Sequence, residues 1–185
     1  LGGIHISSDI GCHTFSTLQP FNLGNTVLGY GLSLAAASAM GPNFGKRIIT
    51  VMGDGGFWHQ GLVTGITNAI FRNDDGVLVI MENGYTSATG TQNIPSSPDL
   101  SAREGSGIGI ESTLRGLGVK WLERVPNYQV SDVADALQSR IESVDLAADA
   151  MLYEAGTILR HGYFPVTTVI SLVSPTLPKC SKPRV

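Results

Sequence analysis

Two short segments, Gly53-Asp54-Gly55-Gly56 and Asn83-Gly84-Tyr85, carry residue types that could bind a metal ion and a diphosphate together. Mg²⁺ takes about six hard oxygen ligands and draws only a few of them from protein when a phosphate ligand is present. The carboxylate of Asp54, the amide oxygen of Asn83 and one backbone carbonyl would occupy one face of that octahedron. The glycines would let the main chain approach phosphate oxygens closely, and the N-terminus of a following helix would attract negative charge.

The elements around these segments would bring Asp54 and Asn83 to one edge of a sheet. Residues 47–52 are apolar and largely β-branched, residues 76–82 are nearly all apolar, and both runs suit buried parallel strands. If the two strands are neighbours they lie about 4.8 Å apart, so that both polar side chains can reach one ion. Between the strands, four apolar residues recur at every fourth position and predict one buried helix face. They are Trp58, Leu62, Ile66 and Ile70.

The rest of the chain continues the alternation of strands and helices, which predicts an α/β fold with a mainly parallel sheet. Further strands are expected at residues 4–10, 119–124 and 166–172, and further helices at residues 25–40, 110–117 and 130–143. The inward face of the last helix would consist of Val133, Ala134, Leu137 and Ile141. Residues 83–109 lack a period and predict a long functional loop, and residues 175–185 predict a disordered end.

Each chemical segment also has simpler interpretations. Gly-Asp-Gly and Asn-Gly are common in turns, and either one alone would be interpreted as a turn. Their joint placement after consecutive buried strands favours a metal–diphosphate site at the carboxyl ends of those strands. Residues 41–47 superficially resemble a nucleotide P-loop, but they have one residue too few between the glycines and Arg47 where Ser or Thr should stand. They also precede a strand instead of following one, so we reject the P-loop interpretation.

Composition argues against several other classes of protein. The 185 residues suit one domain, 42% of them are hydrophobic and only 15% are charged. A net charge of −3 without a long basic run argues against nucleic-acid binding, and no apolar run approaches the ~18 residues of a membrane span. Two cysteines, Cys12 and Cys180, are too few for an iron–sulfur cluster or a disulfide framework, which favours a cytoplasmic location. The chain begins with Leu1 in strand-like sequence, and we interpret it as part of a longer polypeptide.

Four segments resemble the cofactor-binding part of the indolepyruvate ferredoxin oxidoreductases, either the alpha subunit or the fused form. They are Ser8-Asp9-Ile10-Gly11-Cys12-His13, Gln19-Pro20-Phe21-Asn22-Leu23-Gly24-Asn25, Met52-Gly53-Asp54-Gly55-Gly56-Phe57-Trp58-His59 and Asn83-Gly84-Tyr85-Thr86-Ser87-Ala88-Thr89-Gly90. The resemblance covers about residues 3–142. It implies a thiamine-diphosphate and Mg²⁺ binding domain over residues 1–146, folded as a three-layer α/β sandwich. Residues 147–185 match poorly and are expected to hold a possible last strand and a disordered tail.

The resemblance implies a set of cofactor-binding residues around the two segments. Asp54, Asn83 and the main-chain oxygen of Tyr85 would coordinate Mg²⁺. Gly11, Cys12 and His13 would lie beside thiamine diphosphate, and residues 86–91 would cover the diphosphate and the active centre. The complete expected set is Gly11, Cys12, His13, Gly53, Asp54, Gly55, Gly56, Asn83, Tyr85, Thr86 and Thr91.

Some of the candidate side chains have ordinary structural alternatives. Cys12 could be a small buried residue at a strand end, and His13 could make a structural hydrogen bond instead of contacting a phosphate. His59, one turn into the helix, could face a substrate carboxylate or cap local backbone. We retain His13 and His59 as candidate catalytic residues, and we interpret Trp58 as a core residue.

The resemblance further implies oxidative decarboxylation of an arylpyruvate, an indolepyruvate-like 2-oxoacid. Coenzyme A would accept the acyl group and ferredoxin the electrons. This chain would supply the Mg²⁺–diphosphate half-site, while a pyrimidine-binding domain, another subunit and [4Fe-4S] clusters would come from the remainder of an oligomeric enzyme. The chain alone would therefore be inactive. Two alternatives stay open, namely a domain of a non-oxidative thiamine-diphosphate decarboxylase and a truncated non-catalytic fragment.

Overall fold

Six strands form one parallel sheet in the computed structural model, which describes residues 5–44, 47–98, 107–139 and 168–173. In chain order the strands are β1 (Ile6–Ser8), β2 (Thr26–Val27), β3 (Ile48–Gly53), β4 (Gly76–Glu82), β5 (Trp121–Pro126) and β6 (Thr168–Val173). Their order across the sheet is β2-β1-β3-β4-β6-β5, and every adjacent pair is parallel. The predicted parallel α/β sheet is therefore confirmed.

The helices follow the strands as an α/β alternation requires. They are α1 (Ser33–Met40), α2, α3 (Ile110–Gly116) and α4 (Val130–Gln138), with short 3₁₀ helices at Cys12–Thr17 and Gly41–Asn43. Helix α2 consists of an α-helical turn (Asp54–Gly56), a π-helical stretch (Phe57–Ile66) and an α-helical end (Thr67–Arg72). Over the described ranges, no helix combines the length and apolarity that crossing a membrane requires.

Strand β4 lies at the centre of three layers. Its residues Leu78 and Ile80 pack in a core cluster with side chains of α1, α2 and α3. Its alternate residues Val77 and Val79 point to the opposite face, where they pack with α4. A strand buried on both faces must be apolar throughout, which explains the nearly continuous apolar run of β4. The predicted three-layer sandwich is confirmed.

The buried face of α2 is the predicted one, but the helix is π-helical over part of its length and not α-helical throughout. Trp58, Leu62, Ile66 and Ile70 all pack in the cluster beneath the helix, as their spacing predicted. In an α-helix, residues four apart drift by about 40° at each step, because a turn holds 3.6 residues. The i→i+5 hydrogen bonds of a π-helical stretch widen the turn and counteract that drift. An every-fourth spacing therefore stays on one face of this helix.

The predicted helix over residues 25–40 is wrong in its first half. Strand β2 occupies part of that half and pairs with β1, where the side-chain oxygen of Asn25 accepts the N–H of Ile6 at 2.9 Å. Gly31 then adopts a φ of 80°, which an α-helix does not contain, so α1 begins only after it. Pairing with a distant strand thus overrides the local helix propensity of this segment.

The predicted inward face of α4 is partly wrong. Val133 and Leu137 pack against the core as expected, but Ala134 is exposed and Ala136 is buried instead. Val133, Ala136 and Leu137 keep the i, i+3, i+4 spacing of one helix face, whereas Ala134 turns away from it. Ile141, which was expected on the same face, and the predicted tail over residues 175–185 lie outside the described residues.

The other predicted elements are present with shifted ends. Strand β1 is shorter than the expected residues 4–10, and β5 lies slightly C-terminal to the expected residues 119–124. Strand β6, close to the expected residues 166–172, lies between β4 and β5 in the same sheet. The boundary between two segments at residue 146 stays a prediction.

We predict that Gly61→Ala destabilises the protein, because α2 lies too close to β3 there for a side chain. A Cβ at Gly61 would lie 2.6 Å from the Met52 sulfur and 2.9 Å from the Gly56 carbonyl oxygen. The free energy of unfolding, measured by urea titration, should fall by about 1–3 kcal/mol. Gly116→Ala is the matched control, since a Cβ there meets nothing within 4 Å. Equal stability of the two variants would contradict the close helix–sheet packing.

Candidate active site

The two chemical segments meet at the carboxyl ends of neighbouring strands. Strands β3 and β4 pair directly, with Gly53 opposite Met81 at the end of the ladder. Asp54 and Asn83 each follow shortly after that last pair. The condition on which the predicted metal site depends, that the two strands are neighbours, is therefore met.

The carboxylate of Asp54 is buried and joins α2 to the loop after β4. Only 2% of the residue is exposed. Its oxygens accept the N–H of Gly55 at 2.8 Å, that of Asn83 at 2.9 Å and that of Gly84 at 2.7 Å. Burial raises the pKa of this carboxyl, the three amides oppose the rise, and the nearby charge of Glu82 adds to it. A divalent cation at this point would favour the ionised form.

The turn after β4 sets the position of Asn83. The side-chain oxygen of Asn83 accepts the N–H of Tyr85 at 3.1 Å, and Gly84 adopts a φ of 81° that few other residues tolerate. This local bond fixes the side-chain oxygen within the turn, and the backbone N–H of the same asparagine donates to the Asp54 carboxylate. Carboxylate and amide oxygens keep a second acceptor position when they accept one hydrogen bond.

The donor set fits magnesium and a phosphate better than a transition metal. Within the part of the chain that the structure describes, no group of three or more His, Cys, Asp or Glu side chains could hold a metal ion. Asp54 and Asn83 offer hard oxygens, and the main-chain oxygen of Tyr85 belongs to the same turn. Such a set leaves several positions of an octahedron for phosphate oxygens and water. The residues therefore fit the expected Mg²⁺–diphosphate group.

The three glycines that flank Asp54, namely Gly53, Gly55 and Gly56, have different surroundings. A Cβ at Gly53 would meet only the His13 ring, at 4.0 Å, so this glycine leaves open space. Gly55 lies against the hydroxyl groups of Tyr30 and Thr86, and a Cβ at Gly56 would lie 2.7 Å from a carboxylate oxygen of Asp9. The expectation that all of these glycines make room for phosphate is thus too simple. Two of them are glycine because other protein groups fill the space.

The first motif lies beside the loop after β4. The Cys12 sulfur is 3.5 Å from the Ser87 hydroxyl, which brings the start of the 3₁₀ helix against the expected diphosphate-covering segment. Cys12 is exposed, so its interpretation as a small buried residue is wrong. Gly11 stands directly before the 3₁₀ helix, with its N–H donated to the Thr14 hydroxyl at 2.9 Å.

His13 combines a structural contact with a free nitrogen. Its ring makes a hydrogen bond with the Asp9 backbone, and burial lowers the pKa of the imidazole, which favours its neutral form. The other ring nitrogen, Nε2, is buried and has no hydrogen-bond partner among the described residues. The ring also lies close to Gly53. A neutral imidazole with a free nitrogen at this place can accept or donate one further hydrogen bond.

His59 and Thr86 meet around a tyrosine that the sequence interpretation overlooked. The ring of His59 contacts the ring of Tyr30, with centroids 4.9 Å apart. The Tyr30 hydroxyl donates to the Thr86 hydroxyl at 3.4 Å. Thr91 lies on an exposed turn instead, with a φ of 63° and its hydroxyl donated to the Gly90 carbonyl. The structure therefore brings Thr86 to the candidate site but leaves Thr91 at the tip of its loop.

Asp9 is the second overlooked residue. It is fully buried at the end of β1, and burial raises the pKa of its carboxyl from 3.8 to about 6, against hydrogen bonds from Gly31, Ile10 and Ser33 and the charge of His59. An acidic residue near the end of a predicted strand was a signal in the sequence. Tyr30 gave no comparable signal, because it stood inside a predicted helix.

We predict that Asp9→Asn changes the pH dependence of stability. Because the folded-state pKa is raised, the contribution of Asp9 is fully present below about pH 4 and is lost as the pH rises through about 6. The free energy of unfolding of the wild type, minus that of the variant, should fall by on the order of 3 kcal/mol across this window. Asp132→Asn, which removes an exposed carboxylate of α4, is the control. A difference that stays constant from pH 4 to 7 would refute the burial argument.

Comparison with known proteins agrees with this geometry. Residues 9–147 match the family of the thiamine pyrophosphate enzyme, C-terminal TPP binding domain. The indolepyruvate oxidoreductase subunit IorA of Archaeoglobus fulgidus is 32% identical over 139 residues, which are 75% of this chain and 22% of that protein. The same subunit of Pyrococcus horikoshii is 29% identical over 174 residues, which cover 84% of this chain and 27% of that protein. The chain thus spans about a quarter of the length of these curated relatives.

A solved structure shows the same fold. The 2-oxoglutarate:ferredoxin oxidoreductase from Magnetococcus marinus superposes with a TM-score of 0.68 at 16% identity, over 95% of this chain and 55% of that chain. The family match extends over most of the described sheet and over both chemical segments. The chain therefore belongs to the thiamine pyrophosphate enzymes, as a C-terminal TPP-binding domain.

Proposed function

We propose that this chain supplies the Mg²⁺ and diphosphate half-site of a 2-oxoacid:ferredoxin oxidoreductase. The observation that carries the proposal is the buried carboxylate of Asp54, which lies at the ends of β3 and β4 beside the amide of Asn83. Burying a carboxylate is costly, and a bound cation would offset that cost. Asp54, Asn83 and the main-chain oxygen of Tyr85 are the proposed ligands.

The other residues of the site would orient the cofactor and exclude water. The first turn of α2 would direct backbone N–H groups toward the diphosphate, next to the open space at Gly53. The free Nε2 of His13 would hold one hydrogen bond at this edge. His13 and His59 are the two proposed catalytic residues, and His59 is exposed beside Tyr30. When bound, thiamine diphosphate supplies the nucleophilic carbon and the electron sink for loss of CO₂ from a 2-oxoacid.

The substrate and the electron path are proposed from the relatives. The relatives from Archaeoglobus fulgidus and Pyrococcus horikoshii are named as indolepyruvate oxidoreductase subunits, which supports an arylpyruvate as the 2-oxoacid. Coenzyme A would accept the acyl group, and ferredoxin would take the electrons through [4Fe-4S] clusters. These clusters, the pyrimidine-binding domain and the other subunit would come from the longer oligomeric enzyme, since the chain spans only about a quarter of its curated relatives.

We predict that the full-length protein binds thiamine diphosphate only in the presence of Mg²⁺. Calorimetric titration at saturating Mg²⁺ should show binding, and addition of EDTA should abolish it. Asp54→Asn keeps the shape of the side chain but removes its charge, and should weaken binding at least about 100-fold, or about 2.7 kcal/mol. Asp132→Asn, which removes the same charge from the exposed face of α4, should bind like the wild type.

Two outcomes would count against this proposal in different ways. Binding that persists in EDTA, or in a folded Asp54→Asn variant, would refute the metal assignment. Absence of binding to the wild type at saturating Mg²⁺ would refute the cofactor site altogether. Far-ultraviolet circular dichroism of both variants would separate loss of binding from loss of fold.

A further inference from the structure

We infer that Asp9 is a positioning residue which, through the amide of Gly31, holds the Tyr30 hydroxyl against the first turn of α2 beside Thr86. The inference rests on the proposed function insofar as this turn faces the diphosphate. It adds two residues to the site, Asp9 and Tyr30, for which the sequence predicted no role.

Each polar group of Asp9 makes a hydrogen bond, and most of these bonds connect β1 to other segments of the chain. Its N–H donates to the Val51 carbonyl of β3 at 2.9 Å, and its own carbonyl accepts the Thr14 hydroxyl at 2.6 Å. Its carboxylate accepts the N–H of Gly31 with both oxygens, at 2.7 and 2.9 Å, and the N–H of Ile10 at 2.6 Å. The residue is fully buried. It therefore ties the end of β1 to β3, to the 3₁₀ helix and to the turn before α1.

Gly31 transmits this anchoring to α2. Its φ of 80° places it in the left-handed region, and a Cβ there would lie 2.8 Å from the Gly61 nitrogen and 2.9 Å from the Gly56 oxygen. The turn is thus pressed against the helix backbone on one side and bonded to Asp9 on the other. Because both sides are fixed, the adjacent residue Tyr30 has little freedom to move.

Tyr30 uses this fixed backbone to reach the site. Its carbonyl accepts the side-chain amide of Gln60 at 2.6 Å, and its ring contacts that of His59. Its hydroxyl donates to Thr86 at 3.4 Å and fills the space in front of Gly55. One aromatic side chain therefore links the first turn of α2 to the loop after β4, the two segments that carry the proposed metal ligands.

The chemistry of Asp9 suits this role better than a neutral side chain would. Hydrogen bonds to a carboxylate are about twice as strong as neutral ones. Both oxygens act as acceptors here, whereas the amide of asparagine has only one acceptor oxygen and would turn its NH₂ group toward a backbone N–H. Asp9→Asn should therefore release the Gly31 turn while preserving the volume of the side chain.

A double-mutant cycle in the full-length enzyme tests the inference. Asp9→Asn, Tyr30→Phe and the double variant are titrated with thiamine diphosphate at saturating Mg²⁺. We expect each single variant to bind about 5–10-fold more weakly, and the double variant to bind no more weakly than the worse single variant, because both changes disrupt one unit. Single effects that multiply in the double variant, or unchanged binding by folded Tyr30→Phe, would overturn the inference.

A second readout does not depend on the cofactor. The ¹⁹F resonance of 3-fluorotyrosine incorporated at Tyr30 should shift or broaden in Asp9→Asn and stay unchanged in Asp132→Asn. If the wild type fails to bind thiamine diphosphate, the proposed function fails, but this resonance still reports whether Asp9 positions Tyr30. If Asp9→Asn does not fold, Ser33→Ala decides, since the Ser33 hydroxyl is 3.5 Å from the same carboxylate. If the resonance is unchanged in Asp9→Asn, or in Ser33→Ala where Asp9→Asn does not fold, the inference is overturned.

Discussion

The carboxylate of Asp54 lies where helix α2 begins and accepts backbone N–H groups from both sides of the strand pair β3 and β4. Burying a charge costs several kcal/mol unless hydrogen bonds or a counter-ion replace the lost water. The amides of Gly55, Asn83 and Gly84 replace part of that hydration. They can do so only if α2 starts at the strand end and the next loop turns back over it. The requirement to solvate one carboxylate thus determines how the start of α2 and the loop after β4 meet.

Close packing of α2 on the sheet follows from the same requirement. A helix whose first turn must reach into the strand ends has to lie close to β3, and Gly61 allows this, because a side chain there would collide with Met52. A Cβ at Gly65 would lie 3.1 Å from Leu34 of α1, so the helix also packs tightly against α1. The π-helical stretch keeps these glycines and the large apolar residues on one face. The site and the core under α2 therefore both depend on the close packing of α2 against the sheet.

The sequence predicted those parts of the site that depend on neighbouring residues. The strands β3 and β4 and the positions of Asp54 and Asn83 followed from apolar runs and their ends. The turn at Tyr30 and Gly31 did not, because its geometry depends on a carboxylate 22 residues away and on the backbone of α2. The position of Cys12 could not be predicted from the sequence either, since its side chain contacts Ser87 in a distant segment. Contacts between distant segments leave no periodic signal in a single sequence.

Asp54 begins the first turn of α2 and Asp9 lies against Gly56 of the same turn, and this arrangement constrains the chemistry of the proposed site. Both carboxyls are buried, and burial raises the pKa of each. The helix dipole favours negative charge here but supplies only about half an elementary charge. A diphosphate bound at this turn would be repelled by both carboxylates. A divalent cation beside Asp54 would remove most of this repulsion. The Asp9 carboxylate faces the Gly31 turn, whereas Asp54 lies with Asn83 at the strand ends, so Asp54 is the carboxylate whose position suits the proposed metal.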